Sequence, residues 1–505
     1  MNLLGIDVGT TGCKVAIFSS DGKQIALAYR EYNICLTKSG YAELESALVW
    51  KKIQESIQEV MSSSKGLPIS ALSVSSLAES FVPVTKERKI LGNSTLNFDT
   101  RGDEFLPLLR KTITDDQIYQ KNGNCLGNQY SLTKLMWIKK YQPELYTDTY
   151  KFLLWGAFVS FMLGSEPMVD FSLANRTLLF DIHRQDWSDD LLRITGLDRE
   201  KLPVVVPTGT VIGHVSHEVS QTLNLPEGIS IISGAHDQCA NAVGCGVIDS
   251  GHAVYGMGTY HCITPVFSSP RENNLMIDRG LNTEHHAVPG KYVCFIYNQG
   301  GSLVKWYRDT FAVNEQADYS KRGETVYPAL LSEISQKPSD ILVLPHFTQT
   351  GSPRFITDSA GVIVGLHLNT TRGEILKGII EGISFYLREV LDTLPDTGIT
   401  IHDFRVVGGG SKSDIWIQTC ADIFGLPFYR PVITEAGALG AAIIAGVGAE
   451  IFSNFENATD AMVKIEKEFL PNKYIHNLYE ERYQNYHLLW PLMADYLHNI
   501  SKKID

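Results

Sequence analysis

The chain reads as an α/β or mixed α+β protein. Long stretches with apolar residues at helical spacing alternate with short β-branched runs, many of those runs end in glycine, and no low-complexity segment interrupts the alternation. Helical periodicity marks residues 45–64, 133–141 and 375–394, each with one apolar face. Between them, "ALSVSSL", "GISIISGA", "GHAVYGMG", "KYVCFIYNQGG", "DILVLPHF" and "HDFRVVGGG" have the brevity and composition of strands.

The first element is a hairpin. In "LLGIDVGTTGCKVAIFSSDGK", residues 3–23, two apolar runs flank a bend, and Ser20-Asp21-Gly22 signals a second turn. Gly9 and Gly12 permit tight backbone geometry, Thr10 and Thr11 supply hydroxyl and N–H donors, and Asp7 ends the strand. Donors beside an acid suit a phosphate with its metal, although an ordinary turn uses the same residues.

A second strand, acid and Gly-Thr bend occupy residues 228–265. Asp237 follows the strand, Ala240 to Gly246 read as a small-residue helix, and Gly256, Gly258 and Thr259 form the bend of a second hairpin. This repetition predicts a duplicated architecture with a cleft between lobes. A third cluster, Gly408-Gly409-Gly410, joins a strand to a helix starting near Ser411 to Asp414. It is neither a Walker A loop nor GxGxxG, and a plain turn capped by Ser411 or Ser413 also accounts for it.

Bulk properties narrow the function classes. A length of 505 residues predicts about two to four domains. Hydrophobic content of 44% and charged content of 20% exclude a disordered or fibrous chain. The net charge of −12 disfavours nucleic acid as a partner, and Lys86-Glu87-Arg88-Lys89 reads as a solvated turn. "MNLLGIDVGT" lacks the pattern of an export signal, and "FLLWGAFVSFMLG" at 152–164 is too short to span a bilayer, so it reads as a core helix. Eight cysteines without a CxxC pair predict reduced thiols and a cytoplasmic protein without a membrane partner. The adjacent His285 and His286 lack a spaced third ligand and read as loop or interface residues.

The order of "GIDVGTT", "GAHDQ…GMGT" and "VGGGSKSDIWIQTCADIFG" resembles the FGGY carbohydrate kinases. "GVIVGLHLNTTRGEILKGIIEGI" (361–383) is similar to the family's C-terminal signature, and "EAGALGAAIIAGVG" (435–448) to the helix after its adenosine site. Tyr260 departs from the usual Gly-Thr-Ser, and Gly378 from the usual Ala or Ser. The resemblance implies two ribonuclease-H-like, actin/hexokinase-type lobes, 1–247 and 248–505, with ATP, Mg²⁺ and a small sugar or polyol meeting between them. It further implies Asp237 as catalytic base and Asp7 with Asp237 as the metal-holding acids. Thr10, Thr11, Gly258 and Thr259 would bind the phosphates, and Gly409, Gly410, Asp414 and Gln418 the adenosine.

The segments "SSLAESFVPV" and "LNFDTRG" correspond to the family's acceptor site, implying Glu79, Asp99, Arg101, His236 and Asp237 as substrate-binding residues. A structural Asp99–Arg101 pair is the alternative. The implied acceptor is a ketose such as xylulose, with glycerol, a hexulose, a sugar acid or a linear signalling sugar as alternatives. A non-catalytic, actin-like nucleotide-binding regulator is the reading from another class, and a homodimer is the family-based expectation.

Overall fold

Turn chemistry and period-2 patterning make the opening residues an antiparallel meander of β1 (Asn2–Val8), β2 (Gly12–Ser19) and β3 (Gln24–Glu31). The computed structural model describes residues 1–64, 67–271 and 273–501. β1 also runs parallel to β4 (Ile69–Ser76), which runs parallel to β5 (Ser230–His236). The sheet order is β5-β4-β1-β2-β3, with Val211–His214 antiparallel on the β5 edge. A parallel return needs a crossover, and helix Ser46–Ser63 occupies the one from β3 to β4, burying Val49, Trp50, Ile53, Ile57 and Val60.

The second half builds the same order. β6 (Gly251–Met257), β7 (Tyr260–Phe267) and β8 (Ile296–Gln299) are antiparallel, and β9 (Ile401–Val407) and β10 (Phe428–Pro431) follow in parallel on the other side of β6. The central order β8-β7-β6-β9-β10 again ends on an antiparallel edge strand, Ile465–Phe469. Two lobes of ribonuclease-H-like, actin/hexokinase-type architecture result, as the resemblance implies. In sequence the duplication is thin. In strand order it is complete.

The three expected helices are present as Ser46–Ser63, Ser131–Tyr141 and Arg372–Thr393. The last starts at a capping box: Thr371 Oγ1 accepts from the Glu374 N–H at 3.2 Å, and the Thr371 N–H donates to Glu374 Oε2 at 2.7 Å. Gly378 packs closely, since a Cβ there would lie 2.9 Å from the Ile341 carbonyl oxygen.

Three expectations need correction. The 152–164 stretch is a strand, Lys151–Leu154, before a helix, Trp155–Leu163, because a strand partner at Phe81–Val84 captures its first residues. In the Lys86–Lys89 turn, Lys86, Glu87 and Lys89 are exposed as expected, but Arg88 is half-buried. Its guanidinium donates to the Phe161 and Ser165 carbonyls and lies 4.1 Å from the Phe161 ring centroid. His285 and His286 are buried, each ring facing a backbone carbonyl, Ile182 and Val247 respectively, at 3.1 Å.

The lobes meet through glycine-mediated contact between α1 (Asp237–Gly244) and a helix of the second half. α1 begins at Asp237, three residues before the expected start. Two more helices complete the frame, α2 (Asp414–Phe424) and α3 (Ala436–Gly448). An added Cβ on Gly440 of α3 would lie 1.9 Å from the Ala240 carbonyl oxygen, and one on Gly244 would lie 2.0 Å from that of Ala436. Only glycine allows this approach. α3 also crosses β1, where a Cβ on Gly5 would meet the Ala438 oxygen at 1.9 Å. Among the described residues, no helix is long and apolar enough to cross a membrane.

Candidate active site

Parallel pairing aligns the carboxyl ends of β1, β4 and β5, the edge at which open α/β sheets bind ligands. Asp7 is opposite Ser75, and Ser76 is opposite His236, so Asp7 and the residue after His236, Asp237, emerge on one edge. Ser75 Oγ donates to Asp7 Oδ1 at 2.8 Å. Burial and the charge of Asp237 raise the Asp7 pKa from 3.8 to about 6, against that hydrogen bond and the charge of Lys14. Lys14 is itself ion-paired with Glu435, just before α3. Gly437 leaves room on the other side, since a Cβ there would lie 2.6 Å from Asp7 Oδ2.

Asp237 is the first residue of α1, where the helix dipole favours a carboxylate. It is not an N-cap: His236 holds that position, and no side-chain cap hydrogen bond forms. His236 Nε2 lies 3.2 Å from Asp237 Oδ1. Burial lowers the His236 pKa, but the hydrogen bond to Asp237 and its charge outweigh that effect, and the net shift is upward. The imidazole is fixed from behind by the Phe295 ring, 5.4 Å away edge to face, and the His236 N–H donates to Ser172 Oγ at 2.9 Å.

The first bend joins Val8 to Gly12. The Gly9 N–H donates to the Gly12 carbonyl at 2.9 Å, and Tyr32 Oη donates to the Gly9 carbonyl at 2.6 Å. Thr10 is half-buried and Thr11 exposed. In the second lobe Gly258 and Thr259 form the bend between β6 and β7. Their carbonyls accept from the Gly300, Gly301 and Ser302 N–H groups, which docks the bend onto the start of helix Gly301–Phe311. Burial, assisted by the charge of Asp237, pushes the Cys262 thiol of β7 up to about 12.

The third glycine cluster packs against the second bend. Gly408 has φ +94°, and Cβ atoms on Gly408 and Gly410 would approach Met257 to 2.9 and 3.0 Å. Among the described residues, Gly409 has no neighbour within 4 Å of such a Cβ, which leaves its backbone open. Asp414 and Gln418 of α2 turn elsewhere. Asp414 pairs with Arg430 at 2.7 Å and Lys467 at 2.5 Å, and the Gln418 amide donates to Asp422 and the Leu470 carbonyl. Ser413 caps α2, accepting from the Trp416 N–H at 3.3 Å.

On the acceptor side, Glu79 is buried with φ +63°, a left-handed conformation costly for a residue with a Cβ. Its carbonyl accepts from Ser131 Oγ at 2.5 Å, and its Oε1 accepts from Arg176, whose Nε is 2.6 Å away. Arg176 also pairs with Glu284 from the second half, 108 residues later. Arg176 and Glu284 were missed in sequence. The only hint is an arginine embedded in the apolar "LANRTLLFD" run.

Asp99 and Arg101 form a closed pair. The Arg101 side chain donates to Asp99 at 2.9 and 2.6 Å and to Glu43 at 2.7 Å, while the N–H groups of Ala42 and Arg101 donate to the Asp99 carboxylate as well. Residues 128–134 tie this pair to Glu79. Asn128 Nδ2 donates to the Asp99 carbonyl at 2.9 Å, and Ser131 holds Glu79.

The profile of the FGGY family of carbohydrate kinases matches through its N-terminal domain at residues 2–244 and its C-terminal domain at 283–449. A xylulose kinase of Staphylococcus xylosus is 23% identical over 97% of this chain and 99% of its own. A glycerol kinase of Limosilactobacillus reuteri is 28% identical over 90% of each chain. The solved gluconate kinase of Lactobacillus acidophilus superposes with a TM-score of 0.85 at 23% identity, covering 98% of both chains. Two acids on one sheet edge, glycine-built bends in both lobes and a family match across most of the length lead to one conclusion: the chain belongs to the FGGY family of carbohydrate kinases and is an ATP-dependent sugar kinase.

Proposed function

We propose that the enzyme transfers the γ-phosphoryl group of Mg-ATP directly to a hydroxyl of a small sugar or polyol, with a ketose such as xylulose as the first acceptor to test. The carrying observation is the position of Asp237. It starts α1 at the sheet edge, beside Asp7 and within one chain of contacts, through His236, Phe295 and Arg176, of Glu79. A carboxylate there accepts the hydroxyl proton while charge on the transferred group is stabilised around it.

Thr10, Thr11, Gly258 and Thr259 donate to the phosphates in this reading, and Gly409 and Gly410 present backbone to the nucleoside. Asp414 and Gln418 act there only by exchanging their present partners. The mutual repulsion of Asp7 and Asp237 fits a shared divalent cation, and Mg²⁺ needs only one or two protein carboxylates because it retains water. The ion would neutralise phosphate charge. Glycerol, hexulose and sugar-acid acceptors remain the alternatives, in keeping with the relatives named for xylulose, glycerol and gluconate. Eight free cysteines suit the reducing cytoplasm.

The test is Mg-ATP turnover against a panel of ketoses, polyols and sugar acids, with wild type and Asp237→Asn. The variant should retain ATP binding by calorimetry and lose ~10²–10⁴-fold in kcat. A folded variant with near wild-type kcat across a pH series refutes Asp237 as the base.

A further inference from the structure

The last peptide of β5, the one that leads into Asp237, is held by a side chain. Val211–His214 pairs with β5 only from Ser230 to Ile232, whereas β4 accompanies it to His236. At that end the His236 N–H donates to Ser172 Oγ at 2.9 Å. Ser172 lies in the five-residue helix Phe171–Asn175, whose N-cap is Asp170. The Ser172 hydroxyl donates to Asp170 Oδ1, which also accepts from the Leu173 N–H at 3.1 Å. A hydroxyl carries one proton, so once Asp170 takes it the lone pairs of Ser172 are left for the His236 N–H. The carboxylate therefore decides which way the hydroxyl accepts. Asp170 and Ser172 are both buried. Burial raises the Asp170 pKa from 3.8 to about 6, against the Ser172 hydroxyl, the N–H groups of the helix and the charge of His236.

The other end of the same helix holds the acceptor side. Asn175 Oδ1 accepts from the His285 N–H of the second half at 3.2 Å, and Asn175 Nδ2 donates to the Asn122 carbonyl at 2.6 Å. Arg176, the C-cap, pairs with Glu79 and Glu284. Ser172 and Arg176 are four residues apart, about one helical turn. One rigid turn thus links the strand end that bears Asp237 to Glu79 and to the second lobe.

Building on the reading of Asp237 as the base, we propose that Asp170 and Ser172 are positioning residues for phosphoryl transfer: the carboxylate orients the hydroxyl, the hydroxyl fixes the His236 peptide, and that peptide aims Asp237. Neither residue touches the reacting atoms. Their contribution is the register between the base and Glu79, since a displacement of about 1 Å in such a register costs on the order of 10²-fold in rate.

The experiment is a double-mutant cycle with the best acceptor of the panel, using wild type, Ser172→Ala, Asp237→Asn and the double variant, the last two at high enzyme concentration. It reads kcat, KM for ATP and acceptor, and melting temperature, and Asp170→Ala with Asp170→Asn forms a second series. Ser172→Ala should lower kcat by ~10–10²-fold and leave both KM values within about threefold. In the Asp237→Asn background the same substitution should cost less than about threefold, because a group that acts through Asp237 then has nothing to aim. Asp170→Asn keeps an oxygen that accepts from Ser172, so it should recover most of the kcat that Asp170→Ala loses. An unchanged kcat in folded Ser172→Ala, an equal loss in both backgrounds, or a loss confined to KM overturns the inference and leaves Asp237 standing as the base. If Asp237→Asn itself keeps near wild-type kcat, the base reading falls and this inference falls with it. The Ser172 cycle decides the question even if Asp170→Ala fails to fold.

Discussion

Asp7→Asn should make the ligand-free enzyme more stable while impairing its use of Mg-ATP. Burial and Asp237 raise the Asp7 pKa from 3.8 to about 6, so folding penalises its ionised form. The sign follows from linkage. Wild type loses stability as pH rises from 3.8 through about 6, and the whole penalty is present above that window. A shift of roughly two units at 1.36 kcal/mol each amounts to ~3 kcal/mol at pH 8, and to about half of that at pH 5. The asparagine variant lacks the penalty and retains an acceptor for the Ser75 hydroxyl, which donates to Asp7 Oδ1. Thermal unfolding of both proteins at pH 5 and pH 8, without Mg²⁺ or nucleotide, provides the assay. The variant should melt higher at pH 8, with a smaller advantage at pH 5. Adding Mg-ATP should then raise the melting temperature of wild type more than that of the variant. A variant that is less stable at pH 8, or a pH-independent difference, refutes the argument that these two acids share an uncompensated negative field.

Two other substitutions separate contact from support. Glu79→Gln should lower kcat/KM more than ATP affinity and should shrink the penalty for the deoxy analogue whose missing hydroxyl Glu79 meets, a penalty of about 1–3 kcal/mol. Asp99→Asn disturbs the closed pair with Arg101, so it should lower the melting temperature and reduce activity towards parent and deoxy analogues alike; a selective change would place Asp99 in contact with substrate. Gly440→Ala forces a Cβ towards the Ala240 carbonyl oxygen, 1.9 Å away, and should cost about 1–3 kcal/mol in denaturant unfolding, whereas an unchanged midpoint would mean that α1 and α3 separate freely.

The opening hairpin was legible in sequence because its determinants are local. Apolar alternation defines β1 and β2, the glycines permit the bend, and the register follows from loop length. Asp237 was legible for the same reason, as an acid directly after a strand. Other features depended on partners far along the chain. The first residues of 152–164 became a strand only because Phe81–Val84 pairs with them, and Asp414 and Gln418 turned away because the 465–470 segment lies beside α2. Arg176 shows the division most clearly. Its local sequence marks it as a charge in an apolar run and does not identify what neutralises it. A buried guanidinium requires carboxylates; one comes from its own lobe, 97 positions before it, and the other from the second lobe, 108 positions after it, so the set is complete only when the two lobes fold against each other. Hairpins and strand-end acids are written over a few residues, whereas the tertiary structure alone decides which buried charges meet.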